Sequence, residues 1–365
     1  MTPSDAPLLR VWREPSRALQ LDGPGWTEFL QHARRAAVLG RLGALLRDEG
    51  LLDRILPKAA AHLRSGLVVA AHAERVISWE VRQLERVLGS LDSDLVLLKG
   101  AAYLVGGLRV ARGRMCSDVD ILVPREHLDA VEKMLLASGW AQVMLEPYDQ
   151  LYYRRWTHEL PPLVHRGRLT AVDVHHGILP VTSRLKPDPG LLLAQARALP
   201  EPWSRWKVLS SEHMVLHAAA HGFHDGELQE PLRDILDIHQ LVSEFAEGDP
   251  AFGERLWSEA ASLGLERPLH YALRYAGCEL GTAVAQSPPT TVRPVLQRAM
   301  DACVHRALRS HESPSRDART WAASWLLYLR SHWLRMPPGL LARHLATKAL
   351  RTREALHQPS AGQHE

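Results

Sequence analysis

Residues 95–123, LVLLKGAAYLVGGLRVARGRMCSDVDILV, decide the fold, because strand, glycine turn, helix, loop and second strand follow one another in a single piece. Leu95 to Leu98 form an unbroken apolar run that suits a strand buried on both faces, and Lys99-Gly100 breaks it. Ala101, Ala102, Leu104, Val105 and Leu108 then supply a helix face. Gly106-Gly107 weakens the end of that helix by roughly 1 kcal/mol per glycine relative to alanine, so a short helix is expected. Past the basic segment Arg109 to Cys116, the run Ser117-Asp118-Val119-Asp120-Ile121-Leu122-Val123 alternates with a period of two. Both aspartates fall on one strand face and Val119, Ile121 and Val123 on the other.

Two carboxylates on one strand face, about 5 to 7 Å apart, raise the cost of ionising each other. A divalent cation removes that cost. Mg²⁺ is usually held by one or two carboxylates together with substrate phosphates, so the geometry suits a nucleotide arriving with Mg²⁺ or Mn²⁺. The glycine turn complements it. Backbone N–H groups at a helix start, unobstructed at Gly100, can approach phosphate oxygens, and Lys99 adds a point charge. Spacing alone is weak: Asp92-Ser93-Asp94 has the same form, but sits in a polar turn without apolar alternation and reads as solvated. The pairing of turn and strand carries the inference.

With these residues in place, the chain resembles the nucleotidyltransferase superfamily of the DNA polymerase β type, whose motif is a glycine turn at a helix start followed by Asp-x-Asp on the next strand. More narrowly, Leu98-Lys99-Gly100-Ala101-Ala102, Arg114, Asp118 to Val123, His158-Glu159-Leu160-Pro161-Pro162-Leu163 and Val172-Asp173-Val174-His175 resemble the bacterial uncharacterised nucleotidyltransferase family, over about residues 85–245. Lys-Gly stands where the superfamily commonly has Gly-Gly or Gly-Ser. The resemblance implies an α+β fold, a polymerase β-type core with a small mixed sheet, flanked by N-terminal helices and a C-terminal helical domain. The active cleft is expected between core and C-terminal domain. It also implies transfer of a nucleoside monophosphate from an NTP to an acceptor, with release of pyrophosphate. Asp118 and Asp120 would bind both metals, and Asp173 would bind the second and help deprotonate the acceptor. Lys99, Gly100, Arg114 and Ser117 would hold the triphosphate. The acceptor is left open, whether small molecule, peptide, protein or nucleic acid.

Asp173 earns its place from LTAVDVH, residues 169–175, whose alternation sets Val172 and Val174 on one face and Asp173 and His175 on the other. Glu159 competes for the role of third carboxylate but precedes Pro161-Pro162, where backbone direction is restricted, and ranks below Asp173. His175 is a candidate substrate contact or a hydrogen-bonded structural residue. A zinc site among His158, His165, His175 and His176 is set aside, because no pair has helical i, i+4 spacing or a cysteine partner.

The 365 residues suggest two or three units, placed at 1–90 (helical), 91–200 (core) and 201–355 (helical). Charged residues make up 23% and hydrophobic ones 46%, ordinary for a globular protein. The three cysteines are far apart, which argues against a disulfide framework and fits a reducing cytoplasm. No signal peptide and no apolar run of transmembrane length is evident.

Trp26 to Leu46 recur at helical spacing up to Gly50, and Ala60 to Leu88 form a second, longer helix begun by Pro57. Pro124 to Ser138 is a helix ended by Gly139, followed by strands at Trp140–Leu145 and Leu151–Trp156. From Ser210 the pattern is helical, with tryptophans such as Trp321, Trp325 and Trp333 assigned to a core. His217, His221, His224, Asp225 and Asp237 raise an alternative, a His-Asp metal phosphohydrolase, which Gly222 and Gly226 oppose by ending the helix where rigidity is needed. A third reading is a non-catalytic nucleotide-binding or interaction module. From Arg293 to Arg353 there are 12 Lys or Arg against three acids, a surplus suited to an anionic partner or to a solvated helix face.

Overall fold

The computed structural model describes residues 4–143, 147–168, 170–225, 230–283, 292–309 and 317–343. The chain opens with α1 (Pro7–Arg13), α2 (Gly23–Arg35), α3 (Leu39–Asp48) and the long α4 (Pro57–Leu88). The single helix expected from Trp26 to Leu46 is therefore two. Val38 N–H donates to Ala33 O (2.9 Å) and Ala37 N–H to Arg34 O (3.1 Å), and Ala37 sits at φ 56°. This left-handed helix stop is usually built on glycine, so alanine conceals it in the sequence. The break frees α3 to lie against α4 at very short range: a Cβ on Gly43 would stand 2.8 Å from Leu63 O, and one on Gly40 3.1 Å from Gly66 O.

The core follows as β1 (Val96–Leu97), α5 (Lys99–Val105), β2 (Asp118–Leu122), α6 (Leu128–Ala137), β3 (Trp140–Gln142), α7 (Pro147–Trp156), β4 (Leu163–His165) and β5 (Ala171–His175). Then come α8 (Pro189–Ala194), β6 (Arg197–Ala198) and β7 (Lys207–Val208). The strands form one mixed sheet in the order β3-β4-β5-β2-β1-β7-β6. β1 runs antiparallel to β2, and β2 parallel to β5 in a register that sets Asp120 beside Asp173. Val119, Ile121, Val172 and Val174 are all fully buried on the opposite face, which fixes that register.

The strand expected at Leu151–Trp156 is instead the helix α7. Its aromatic content suggested a strand, yet Tyr152 and Trp156 meet ring to ring at 5.8 Å across one helical turn, and Arg154 pairs with Glu132 of α6 at 2.7 Å. Strands β4, β6 and β7 span two or three residues each, too few for a period to show. β7 pairs parallel with β1, so the proline-rich stretch before Ser210 completes the sheet. Leu145 and Leu169, expected strand ends, lie outside the described residues.

The described residues that follow form α9 (Ser211–Ala220), a π turn (His221–Asp225), α10 (Pro231–Ala246), α11 (Phe252–Leu263), α12 (Glu266–Leu280), α13 (Pro294–Leu308) and α14 (Ala318–Arg335). Ser210 caps α9 by accepting from His213 N–H (3.3 Å). Gly222 does not end that helix as expected but lies inside the π turn, where a Cβ would reach Asp234 Cβ at an ordinary 3.5 Å. Gly226 is outside the described residues.

On α14 the buried positions are Ala323, Leu327, Ser331 and His332, so Trp321 (60% exposed), Trp325 and Trp333 face outward rather than into a core. Part of the basic surplus turns inward: Arg330 donates to Phe223 O (2.8 Å), and Arg335 lies 3.7 Å from Asp225. Among the described residues no helix is long and apolar enough to cross a membrane.

Candidate active site

A cavity of about 200 Å³ opens between the sheet and the C-terminal helices. α5 and β2 line one side with Lys99, Gly100, Asp118 and Asp120, and His221, Arg233 and Asp234 line the other. Ser117 and Arg114 complete the rim. A second, more open cavity of about 790 Å³ at Pro124, His176 and Lys186 includes none of the three aspartates.

Asp120, 3% exposed, is held from two sides. Lys99 Nζ donates to its Oδ1 at 3.0 Å, and His175 Nε2 stands 2.9 Å from the same oxygen. Burial alone would raise its pKa, but Lys99 and then His175 more than offset burial and hold the carboxyl well below its ordinary value. Asp118, nearer solvent, shifts the other way because of burial and then the charge of Asp120. Burial pushes Asp173 up to about 7, with Asp120 and Glu159 adding to the shift, and its Oδ1 is buried without a hydrogen-bond partner. For His175, burial opposes the charged form, yet the hydrogen bond to Asp120 and the nearby Glu159 raise its pKa overall.

Lys99 occupies the first residue of α5 at φ +43°, a left-handed conformation that costs a non-glycine residue of order 1–3 kcal/mol. This is the position where the sequence departs from the Gly-Gly or Gly-Ser pattern, and the backbone there still has the conformation glycine prefers. Gly100 has a packing reason beyond the one inferred from sequence. A Cβ at Gly100 would stand 2.5 Å from Cys116 Sγ and 2.7 Å from Arg114 Nη1, so the loop before β2 folds down onto the first turn of α5.

Arg114 lines the cavity with its charge already committed. Its Nε donates to Asp237 Oδ1 (3.2 Å) and Oδ2 (3.1 Å), and its Nη2 to Oδ2 (3.0 Å). Arg41 of α3, 1% exposed, donates to the same carboxylate and to Val110 O (3.1 Å). Sequence reasoning missed Arg41, which lies 196 residues from Asp237 and carries no local signal.

The other histidines and acids sort differently from the sequence reading. His224 bonds Ser183 Oγ at 2.8 Å, Asp225 faces Arg335, and Asp237 is taken by the two arginines, so the His-Asp phosphohydrolase set is not gathered about one point. His165 packs edge-on against Trp140. Among the described residues, the ligand-bearing group whose atoms converge within 4.8 Å of one another is His158, Glu159 and His175. The isolated bridge between Glu159 and His175 joins them, a contact that helical spacing could not reveal.

A family model described as uncharacterised nucleotidyltransferase matches residues 22–281. The chain belongs to that family. The match reaches well beyond the 85–245 resemblance, taking in α2 to α4 and the helices through α12, so Arg41 and Asp237 both fall within the family's extent. No curated protein matches the chain. The nucleotidyltransferase assignment accords with the α+β core, in which a small mixed sheet carries the Asp-x-Asp strand directly beside the turn at Lys99-Gly100.

Proposed function

We propose that this nucleotidyltransferase moves a nucleoside monophosphate from an NTP to an acceptor and releases pyrophosphate. The observation that carries the reading is the shared opening of Asp118 and Asp120, from one face of β2, into the cavity bordered by the first turn of α5. Mg²⁺ or Mn²⁺ fits the residues present: Asp118 and Asp120 offer hard oxygens to the cavity, and Asp173, beside Asp120, carries a buried Oδ1 without a hydrogen-bond partner. When bound, the ions would neutralise charge on the phosphates and lower the pKa of the attacking group.

The chain's own residues do the rest. Lys99 and the backbone N–H groups behind Gly100 receive phosphate oxygens, and the Ser117 hydroxyl borders the same space. Arg114 acts by fixing the loop, since Asp237 holds its guanidinium. Asp173, which the register of β2 and β5 sets beside Asp120, is the carboxylate that would accept the acceptor's proton. At about 200 Å³ the cavity is smaller than the roughly 300 Å³ or more of most small-molecule sites, so it takes the phosphate end and leaves the base toward the rim. Acceptor and active cleft lie between the 91–200 core and the 201–355 helices in this reading.

The test is incubation of the full chain with each α-labelled NTP, Mg²⁺ or Mn²⁺ and cell extract. A labelled product made by wild type and not by Asp118→Asn supports the reading. Metal-dependent phosphate release that survives Asp118→Asn and Asp120→Asn, but not Asp225→Asn, would replace it with the phosphohydrolase.

A further inference from the structure

We infer that His158, Glu159 and His175 form a binding site for one borderline divalent cation of the Zn²⁺ class, adjoining the aspartates of β2 without using them as ligands. Two imidazoles and a carboxylate within 4.8 Å of one another are a nitrogen-rich donor set, which favours Zn²⁺ and its first-row neighbours over Mg²⁺. Backbone hydrogen bonds build the site. Leu160 N–H donates to Val174 O (2.9 Å) and His176 N–H to His158 O (2.8 Å), so residues 158–160 lie along β5 and set Glu159 directly opposite His175. Thr157 Oγ1 tightens the approach by donating to Glu159 O (2.9 Å).

A second observation points to a ligand. Nδ1 of both His158 and His175 is buried without a hydrogen-bond partner, in side chains that are more than nine-tenths buried. A buried polar atom left without a partner is destabilising, and here two occur together. His175 Nδ1 faces Glu159 Oε2 at 3.3 Å without the alignment of a hydrogen bond. A cation held by Glu159 would take up the lone pair of His175 Nδ1.

The far nitrogen of His175 completes the pattern. Its Nε2 lies 2.9 Å from Asp120 Oδ1, the outer carboxylate contact that fixes the tautomer of a metal-ligating histidine with its other nitrogen free. Three protein ligands leave a fourth position open. The cation would thus steady Asp120 through His175, and its binding stands on this geometry whether or not the chain transfers nucleotides.

The test uses the full chain, stripped with chelator and titrated with Co²⁺ as a visible-absorbing probe, then with Zn²⁺ in competition. One equivalent of Co²⁺ displaced by Zn²⁺ is expected for wild type and for Asp118→Asn. His158→Gln and Glu159→Gln should each weaken Zn²⁺ binding at least about a hundredfold. His158→Cys, checked for folding by circular dichroism, should bind Co²⁺ with a sulfur-to-metal charge-transfer band, which a merely structural His158 cannot produce. Absence of a one-equivalent site in wild type, retention of binding in both Gln variants, loss in Asp118→Asn, or a folded Cys variant without that band would each overturn the inference.

Discussion

Two buried carboxylates border the same cavity, each clamped between two cations, and they are built for different purposes. Asp237 of α10 takes three hydrogen bonds from Arg114 and another from Arg41, and so ties together α3, the loop before β2 and a C-terminal helix. Neither guanidinium can shed its charge, and each is fixed in a planar fork. Asp120 of β2 is held by Lys99, a point charge on a flexible stem whose side chain is 25% exposed, and by His175, whose proton can leave. Burial and pairing are common to both sites. What separates a rivet from an exchangeable site is the kind of cation: in the proposed reaction Lys99 and His175 would yield Asp120 to an incoming metal, whereas Arg41 and Arg114 keep hold of Asp237.

The sharpest way to break this comparison is to remove each carboxylate's charge in turn. Asp120→Asn and Asp118→Asn should each cut nucleotidyl transfer about a thousandfold or more, equivalent to the several kcal/mol that metal-held charge supplies in such a transition state. The fold should survive, because Lys99 can turn to solvent and His175 can deprotonate. Asp237→Asn should instead lower stability by about 3–5 kcal/mol, since two buried guanidinium groups lose their partner together. Denaturant midpoints for the three variants decide the matter. Equal stability losses in Asp120→Asn and Asp237→Asn would show that the two clamps do not differ. Asp92→Asn, at the exposed member of the decoy pair, should change neither rate nor midpoint.

The two centres were unequally legible in the sequence. Asp118, Asp120 and Asp173 announced themselves because a period of two is visible within five residues, and the parallel register of β2 and β5 then placed Asp120 beside Asp173. The Asp237 clamp was invisible, since its three members come from α3, a loop and α10, and long-range pairing leaves no local pattern. Glu159 was ranked below Asp173 for lying before Pro161-Pro162, yet that same stretch pairs with β5 and carries Glu159 to His175. The helix break at Ala37 escaped notice because alanine there adopts a conformation normally marked by glycine.

A third prediction sharpens the comparison through pH. With its carboxyl raised to about 7 by burial first, and then by Asp120 and Glu159, folded Asp173 keeps a proton that the unfolded chain releases near pH 4. Between these values the unfolded state binds fewer protons, so stability falls as pH rises from about 4 to about 7 and stays low above. Asp173→Asn lacks this loss. Measured in chelator, the variant should match wild type near pH 4 and exceed it above pH 7 by on the order of 2 kcal/mol, after allowance for partial exposure. No such gain is expected from Asp237→Asn, where the carboxyl is held below its ordinary value despite burial by Arg114 and Arg41.

The smallest stability change expected within the site concerns Lys99 and bears most directly on exchangeability. Lys99→Gly removes a cation from Asp120 and at the same time relieves a backbone held at φ +43°. Relief of that strain contributes of order 1 kcal/mol or more, and replacement by glycine returns part of it as added freedom of the unfolded chain. The ion pair lost is one whose lysine reaches solvent, so its loss costs about 1 kcal/mol, and His175 still holds Asp120. These changes oppose each other, and the denaturation midpoint should move by less than the equivalent of about 1 kcal/mol. The KM for NTP, measured in the same preparation, should rise, because the point charge beside the phosphates is gone while the turn remains. A loss of several kcal/mol would mean that Lys99 rivets Asp120 as Arg114 rivets Asp237, and the distinction between the two carboxylates would fall.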